Sequence, residues 1–275
     1  MKKIVSIQDI SCYGQCSLTV ALPILSAYGI ETAILPSAIL STHTGGFKDF
    51  TCLDLTEEMP KIINHWVNEN IIFDAVYTGY IGDYRQFEII INAKKSLSPH
   101  GLLLVDPAMA DHGRLYTALD YRTVDGMRSI MSRADLALPN LTELALLLDI
   151  EYKEKYTRKE IRGLLSKLCE LGVKIAVITG VSFDDDKLGA VCLNKARNEM
   201  CEYFTERIPK NFHGTGDVFS SVLIASYLNG EGMGKSIKNA CDFVLKAIKH
   251  TLNFPEHDYG VMFENLLLRR QLNDP

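Results

Sequence analysis

Strand and helix alternate along almost the whole of this 275-residue chain, which predicts an α/β protein on a doubly wound, mostly parallel central sheet flanked by helices. Three observations carry the expectation. Short apolar runs rich in β-branched residues recur between longer segments of helical periodicity. The connections are short, with no repeat, low-complexity tract or Pro/Ser-rich linker, so one domain spanning 1–275 without a large separate lid is expected. Polar loops also fall just beyond the strand ends, where ligands collect in open sheets.

Taken in order, residues 3–8 read as a buried first strand, followed by the loop Asp9-Ile-Ser-Cys-Tyr-Gly14 and a helix through Leu18–Tyr28 that Gly29 stops. Glu31–Leu35 is a strand, with Ser37–Leu40 as a short second one, and Ser41-Thr-His-Thr-Gly-Gly-Phe47 is a polar glycine loop. Leu55–Asn70 is an amphipathic helix. Phe73–Tyr77 is a strand entering Thr78-Gly-Tyr-Ile-Gly-Asp83 and the helix Tyr84–Leu97. The four consecutive aliphatics of Leu102–Val105 imply a strand covered on both faces, ended by Asp106-Pro107. Helical material is expected over 114–132, a strand over Asp135–Leu138 ended by Pro139-Asn140, and helices over Leu141–Leu148 and Arg158–Leu171. Strand Val173–Thr179 is broken by Gly180, and Leu188–Leu193 with Glu199–Thr205 form an antiparallel pair.

Hydrophobic residues at 47% and charged ones at 23% exclude disordered and fibrous classes. A net charge of −5 with no block of Lys and Arg argues against a nucleic-acid surface. No signal peptide and no run of about 18 apolar residues is found, so a cytoplasmic protein away from membranes is expected. Seven scattered cysteines read as free thiols, and Cys12 with Cys16 lacks the further ligands of a tetrahedral metal site.

The chemistry centres on Asn211-Phe-His-Gly-Thr-Gly-Asp-Val-Phe-Ser-Ser221, where a loop turns into an apolar helix. Gly214 and Gly216 permit backbone angles that let successive N–H groups converge, and the helix dipole adds to them, so His213–Gly216 reads as an anion hole. Asp217 beside it is the candidate base. Taken alone, the same residues fit an ordinary tight turn with a first-turn acid equally well. The motif is neither a dinucleotide fingerprint nor a P-loop, because within it the third glycine and the Gly-Lys-Ser/Thr are absent.

Leu138-Pro-Asn-Leu-Thr-Glu143 reads as a capping box and, compatibly with that, as a carboxylate beside a magnesium–phosphate site. Asp106 and Asp111 are the other acids at that edge, with a polar turn as their plain reading. His43 and His213 lie in glycine loops, and Asp184-Asp185-Asp186 reads as a solvated loop.

Ser6-Ile-Gln8, Ser41-Thr-His-Thr-Gly45, Thr78-Gly-Tyr80, Val105-Asp-Pro107, Pro139-Asn140 with Glu143, Val177-Ile-Thr179 and Gly214-Thr-Gly-Asp217 together resemble the ribokinase-like kinases, specifically the pyridoxal/pyridoxamine (pyridoxine) kinase group, over nearly the whole chain. The resemblance implies ATP-dependent phosphorylation of the hydroxymethyl group of a pyridoxal-type substrate by a homodimer, with Mg2+ and often K+. It implies that Asp217 is the base and that His213, Gly214, Thr215 and Gly216 form the anion hole. Asp106, Asn140, Thr179 and Gly180 would serve the nucleotide. Glu143, Asp106 and Asp111 would serve the metal, and Asp9, Thr44, Gly45 and Tyr80 the acceptor. Many pyridoxal kinases carry Ser where this chain has Asp9, and an acid there favours a protonated ring nitrogen or an amine. Hydroxymethylpyrimidine kinase is the alternative within the family, and a non-catalytic nucleotide- or vitamer-binding protein the alternative outside it.

Overall fold

A computed structural model describes residues 1–273, with side chains through 268. One nine-stranded sheet takes in nearly all the strands: β1 (Lys3–Ser11), β2 (Glu31–Leu40), β3 (Cys52–Asp54), β4 (Ala75–Thr78), β5 (Leu102–Val105), β8 (Leu136–Ala137), β9 (Ile175–Val181), β10 (Lys187–Asn194) and β11 (Glu199–Glu206). The remaining two, β6 (Ala110–Asp111) and β7 (Arg114–Leu115), form a small hairpin. The sheet order is β11-β10-β9-β8-β5-β4-β1-β2-β3, with β2, β1, β4, β5, β8 and β9 parallel and β3, β10 and β11 antiparallel. Strand order reverses after β1, where β2 adds to one side and β4 to the other, so a crevice opens at the carboxyl ends there.

Helices cover both faces, and strand residues alternate between them. Val5, Ile7, Val76, Leu103, Val105, Ala137, Ala176 and Ile178 pack against α2 (Met59–Asn68), α3 (Gln86–Leu97), α4 (Tyr121–Met131), α5 (Leu141–Leu148) and α6 (Arg158–Glu170). Ile4, Ala75, Tyr77, Leu104, Leu136 and Val177 face α1 (Leu18–Ala27), α7 (Thr215–Leu228), α8 (Met233–Thr251) and α9 (Glu264–Asn273). That two-sided burial is why the parallel strands read as unbroken apolar runs rather than alternating ones.

The element boundaries depart from expectation where residues distant in sequence decide them. β1 runs past Asp9 to Ser11, because β2 continues to pair with it beyond a register shift between Gln8 and Ile10; Asp9 is therefore a strand residue, not a loop residue. β2 is one strand, not two, with Pro36 lying before β3 joins at Ala38. Gly180 does not end β9. It is a bulge residue at φ +70°, opposite the point where Gly189 pairs with Val181 and Ala190 with Thr179. The expected helix over 114–132 begins only at Tyr121, because His112 (φ 49°) and Gly113 (φ 76°) make a two-residue turn joining β6 to β7. The expected helix over Leu55–Asn70 is confined to Met59–Asn68, and β3 precedes it.

Candidate active site

Asp217 lies in the first turn of α7, half-buried and near the backbone amide of Ser17. Burial, then the nearby Asp106, then Asp9 push it up to about 7. The turn before it is built as the glycines require. Gly214 sits at φ +74°, and a Cβ there would lie 1.8 Å from the Gln15 carbonyl oxygen, so only glycine fits against the 12–17 loop. Gly216 faces open space, with nothing within 4 Å of where its Cβ would be. The helix start thus has one packed wall and one free approach, the shape an anion needs to reach the amides.

Three further acids gather around it. Asp106, just past β5, is buried. It accepts the Ser220 hydroxyl at 2.5 Å and the Ala108 N–H at 3.2 Å, yet burial raises it to about 6. Glu143 is raised to about 8, first by burial and then by Asp106. One of its oxygens accepts the Met109 and Ala110 N–H groups at 2.9 and 3.5 Å, the other the Asn140 N–H at 2.9 Å. The capping box is present, with the Asn140 side-chain oxygen on the Thr142 and Glu143 amides and its Nδ2 on the Ala110 carbonyl. Glu143 and Asn140 therefore brace the 106–110 segment against α5 before they serve any ligand.

Asp9 forms the other end of the crevice. It is 3% exposed, accepts the Ser11 hydroxyl at 2.9 Å, and is raised by burial. Tyr80 stands near enough that Asp9 adds to the upward shift that burial gives its phenol. Among the described residues, none of the ion pairs involves Asp9, Asp106, Glu143 or Asp217. Four acids without a cationic side chain make a site that gains from a positive charge brought by its ligand.

Gly45 packs beside the anion loop, because a Cβ there would strike the His213 ring at 2.5 Å, and Thr44 precedes it in the chain. His213 itself is exposed, with its ring centroid 5.1 Å from that of His43. His43 is buried with a fixed tautomer: its Nδ1 accepts the Gly45 N–H, so Nε2–H donates to the Tyr259 carbonyl. Thr179 lies beside Asn140 through a parallel bridge, and Gly180 is exposed next to it. Asp111 is not brought into the acid cluster's hydrogen bonding. It is exposed on the β6–β7 hairpin, with His112 Nε2 at 3.5 Å.

Sequence reasoning missed three groups. Ser220 lies one helical turn past Asp217, a spacing that places both on one face of α7. Arg207 and Lys210, with Asp185 and Asn211, line a cavity of about 610 Å3 formed by the segment that precedes the glycine turn in the chain. Ser17 carried no signal in the sequence.

The profile of the phosphomethylpyrimidine kinase family matches residues 22–262. A Bacteroides thetaiotaomicron protein provisionally called a phosphomethylpyrimidine kinase, in a crystal form with pyridoxal, is 38% identical; its TM-score is 0.93, over 100% of this chain and 96% of that one. Pyridoxal kinase from Lactobacillus plantarum is 30% identical, with a TM-score of 0.91 over 99% of this chain and 98% of that one. Pyridoxal kinase of Pasteurella multocida is 26% identical over 260 residues, 92% of this chain and 86% of that protein.

Proposed function

The chain belongs to the phosphomethylpyrimidine kinase family, and from that premise we propose that it is an ATP-dependent kinase that phosphorylates the 5′-hydroxymethyl group of pyridoxal, pyridoxine or pyridoxamine. The observation that carries the reading is Asp217, an acid raised to about 7 beside the open Gly214–Gly216 turn and near Asp9, with no cationic side chain paired to it among the described residues. The relatives named pyridoxal kinase support it.

In this reading the acceptor hydroxyl lies between Asp217 and the amides of Gly214–Gly216. As oxygen attacks the γ-phosphorus and the bond to the β-phosphate bridging oxygen breaks, Asp217 takes the hydroxyl proton while the amides stabilise the equatorial charge. A pKa near 7 suits that role, because the carboxylate is then a strong enough base yet largely ionised once cationic partners enter. His213 and Thr215 complete the anion loop. Thr179 and Gly180 would lie at the nucleotide's edge, with Arg207 and Lys210 as nearby cations for its phosphates.

The donor set fits Mg2+ arriving on the nucleotide rather than a resident ion. Asp106 and Glu143 form a repelling buried pair, while no three acid, His or Cys side chains converge as a metal cage among the described residues. When bound, the ion would neutralise phosphate charge. Asp106 and Glu143 would hold it, through water where their oxygens are already engaged; Asp111 stays outside this role. At the acceptor end, Tyr80, Thr44 and Gly45 would contact the ring and Asp9 its nitrogen or amine. A K+ requirement, a homodimer, a cytoplasmic location and one ribokinase-like domain over 1–275 belong to the same reading. Among the described residues no helix is long and apolar enough to cross a membrane.

Phosphorylation of a hydroxymethylpyrimidine is the second reading, favoured by the family's own description. A coupled assay for ADP formation across pyridoxal, pyridoxine, pyridoxamine and a hydroxymethylpyrimidine decides between them. Vitamer-dependent ADP formation that falls about 10²–10⁴-fold in Asp217→Asn, with ADP affinity within a few-fold, is expected. Absence of ADP formation with every alcohol tested would leave a binding protein, and normal turnover by the Asn variant would remove Asp217 as base.

A further inference from the structure

Four segments remote in sequence meet around the His43 imidazole. The ring is 3% exposed, and each of its nitrogens has the partner that a buried polar atom requires, on a different loop. Nδ1 accepts the Gly45 N–H at 3.2 Å, within the loop read as contacting the acceptor. Nε2–H donates to the Tyr259 carbonyl at 2.9 Å. That carbonyl also accepts the Gln15 N–H at 3.4 Å, and the Gln15 carbonyl is the group against which Gly214 is packed. One imidazole therefore ties the acceptor loop to the wall of the glycine turn. A second route is direct: the His43 ring lies 5.1 Å from the His213 ring, and a Cβ on Gly45 would lie 2.5 Å from that same His213 ring. The fit is close on the remaining sides. A Cβ on Gly14, at φ +100°, would lie 2.1 Å from His43 Cδ2, the His43 N–H donates to the Tyr13 carbonyl at 3.3 Å, and the Phe47 ring stands edge-on at 4.9 Å. A phenyl ring would fill the same space and link nothing.

We propose that His43 is a positioning residue for the reaction read above: its two hydrogen bonds hold the acceptor loop in register with the anion loop, so that the bound hydroxyl meets the phosphoryl group at a fixed distance. The inference rests on that reading. Nδ1, through Gly45, fixes the acceptor loop and contributes to acceptor binding. Nε2, through Tyr259 and Gln15, fixes the wall behind Gly214 and contributes to turnover.

Substitutions that keep one nitrogen position at a time separate the two. His43→Asn places an amide oxygen near the Nδ1 position, where it can accept the Gly45 N–H, and is too short to reach Tyr259. His43→Gln places its terminal amide near the Nε2 position and leaves the Gly45 N–H without its acceptor. His43→Phe keeps the ring packing and removes both bonds. Steady-state kinetics with the best acceptor of the panel are expected to show acceptor KM raised about 10-fold in H43Q with kcat within about two-fold. In H43N, kcat should fall about 10-fold with acceptor KM within about two-fold. Both changes should appear together in H43F. A His43 that only packs would leave H43F like wild type in both parameters. That result overturns the proposal, as does a split between H43Q and H43N that is absent or reversed. ADP titration of each variant reports whether the fold survives. Where a variant binds no ADP, nitrogen-15 NMR of the wild-type histidines decides: His43 held as the Nε2–H tautomer, free and with acceptor and ADP bound, supports the linkage, and an Nδ1–H tautomer in either state overturns it. If wild type itself phosphorylates no alcohol, the kinase reading fails first and this inference with it. Active wild type with indifferent variants overturns this inference alone.

Discussion

Gly214→Ala tests whether the glycine turn is built for its approach to the 12–17 loop. At φ +74° an alanine carries about 1–2 kcal/mol of backbone strain. The larger effect is steric. The new Cβ would lie 1.8 Å from the Gln15 carbonyl oxygen, a backbone atom, and contacts under 3.0 Å are essentially unknown for real Cβ atoms, so the two chains must part by at least about 1.2 Å. Two segments are displaced by that parting, the amides of the anion loop and the 12–17 loop packed against them. A misplacement of about 1 Å at a reacting centre costs on the order of 10²-fold in rate. With a combined destabilisation of about 4 kcal/mol and an unfolding entropy of roughly 0.6 kcal/mol/K for a chain this long, Tm falls by about 7 °C, too little to unfold the protein in an assay at 25 °C. The expected result is therefore a folded enzyme with kcat down about 100-fold. Gly216→Ala is the control: its Cβ meets nothing within 4 Å, so Tm should hold while KM for ATP rises, because the methyl group enters the free approach to the amides. Differential scanning calorimetry and ADP-coupled kinetics report both. Wild-type kcat in Gly214→Ala would refute the assignment of this turn as the anion hole.

Two further expectations concern charge. Asp106, Asp217 and Glu143 have folded-state values of about 6, 7 and 8 against unfolded values near 4. The folded state therefore binds more protons between those limits, and the stabilisation from these groups is present at low pH and lost as pH rises through 6 to 8. His43, lowered by burial, opposes this as one group against three, and the surface acids lowered by their hydrogen bonds and cationic partners, Asp74, Asp83 and Glu160, have finished titrating by about pH 5. The urea midpoint of the ligand-free protein should thus fall between pH 5.5 and 8, and a rising midpoint would count against a buried acid cluster. At the acceptor end, Asp9→Asn and Asp9→Ser should shift preference among pyridoxal, pyridoxine and pyridoxamine, with the amine losing most; unchanged ratios of kcat/KM would remove Asp9 from the acceptor site.

The sequence by itself determined the architecture. Leu102–Val105 and Val173–Thr179 announced strands buried on both faces because a parallel sheet between two helix layers leaves no polar side, and the Asn140/Glu143 spacing announced a capping box because that bond set is local. It also placed Asp217 at a helix start behind two glycines, since φ preference and helix onset are properties of neighbouring residues. The tertiary structure alone decided what those pieces do to each other. Asp9 is a strand residue because β2 pairs past it, Gly180 a bulge because of where β10 lies, and the elevated values of Asp106, Asp217 and Glu143 exist because strands and helices distant in sequence bury them together without a cation. Ser17 is the clearest case: nothing in Gln15-Cys16-Ser17-Leu18 signals its φ of 53°, which arises where Ile10 of β1 bridges to it, and such non-local packing leaves no local pattern to read.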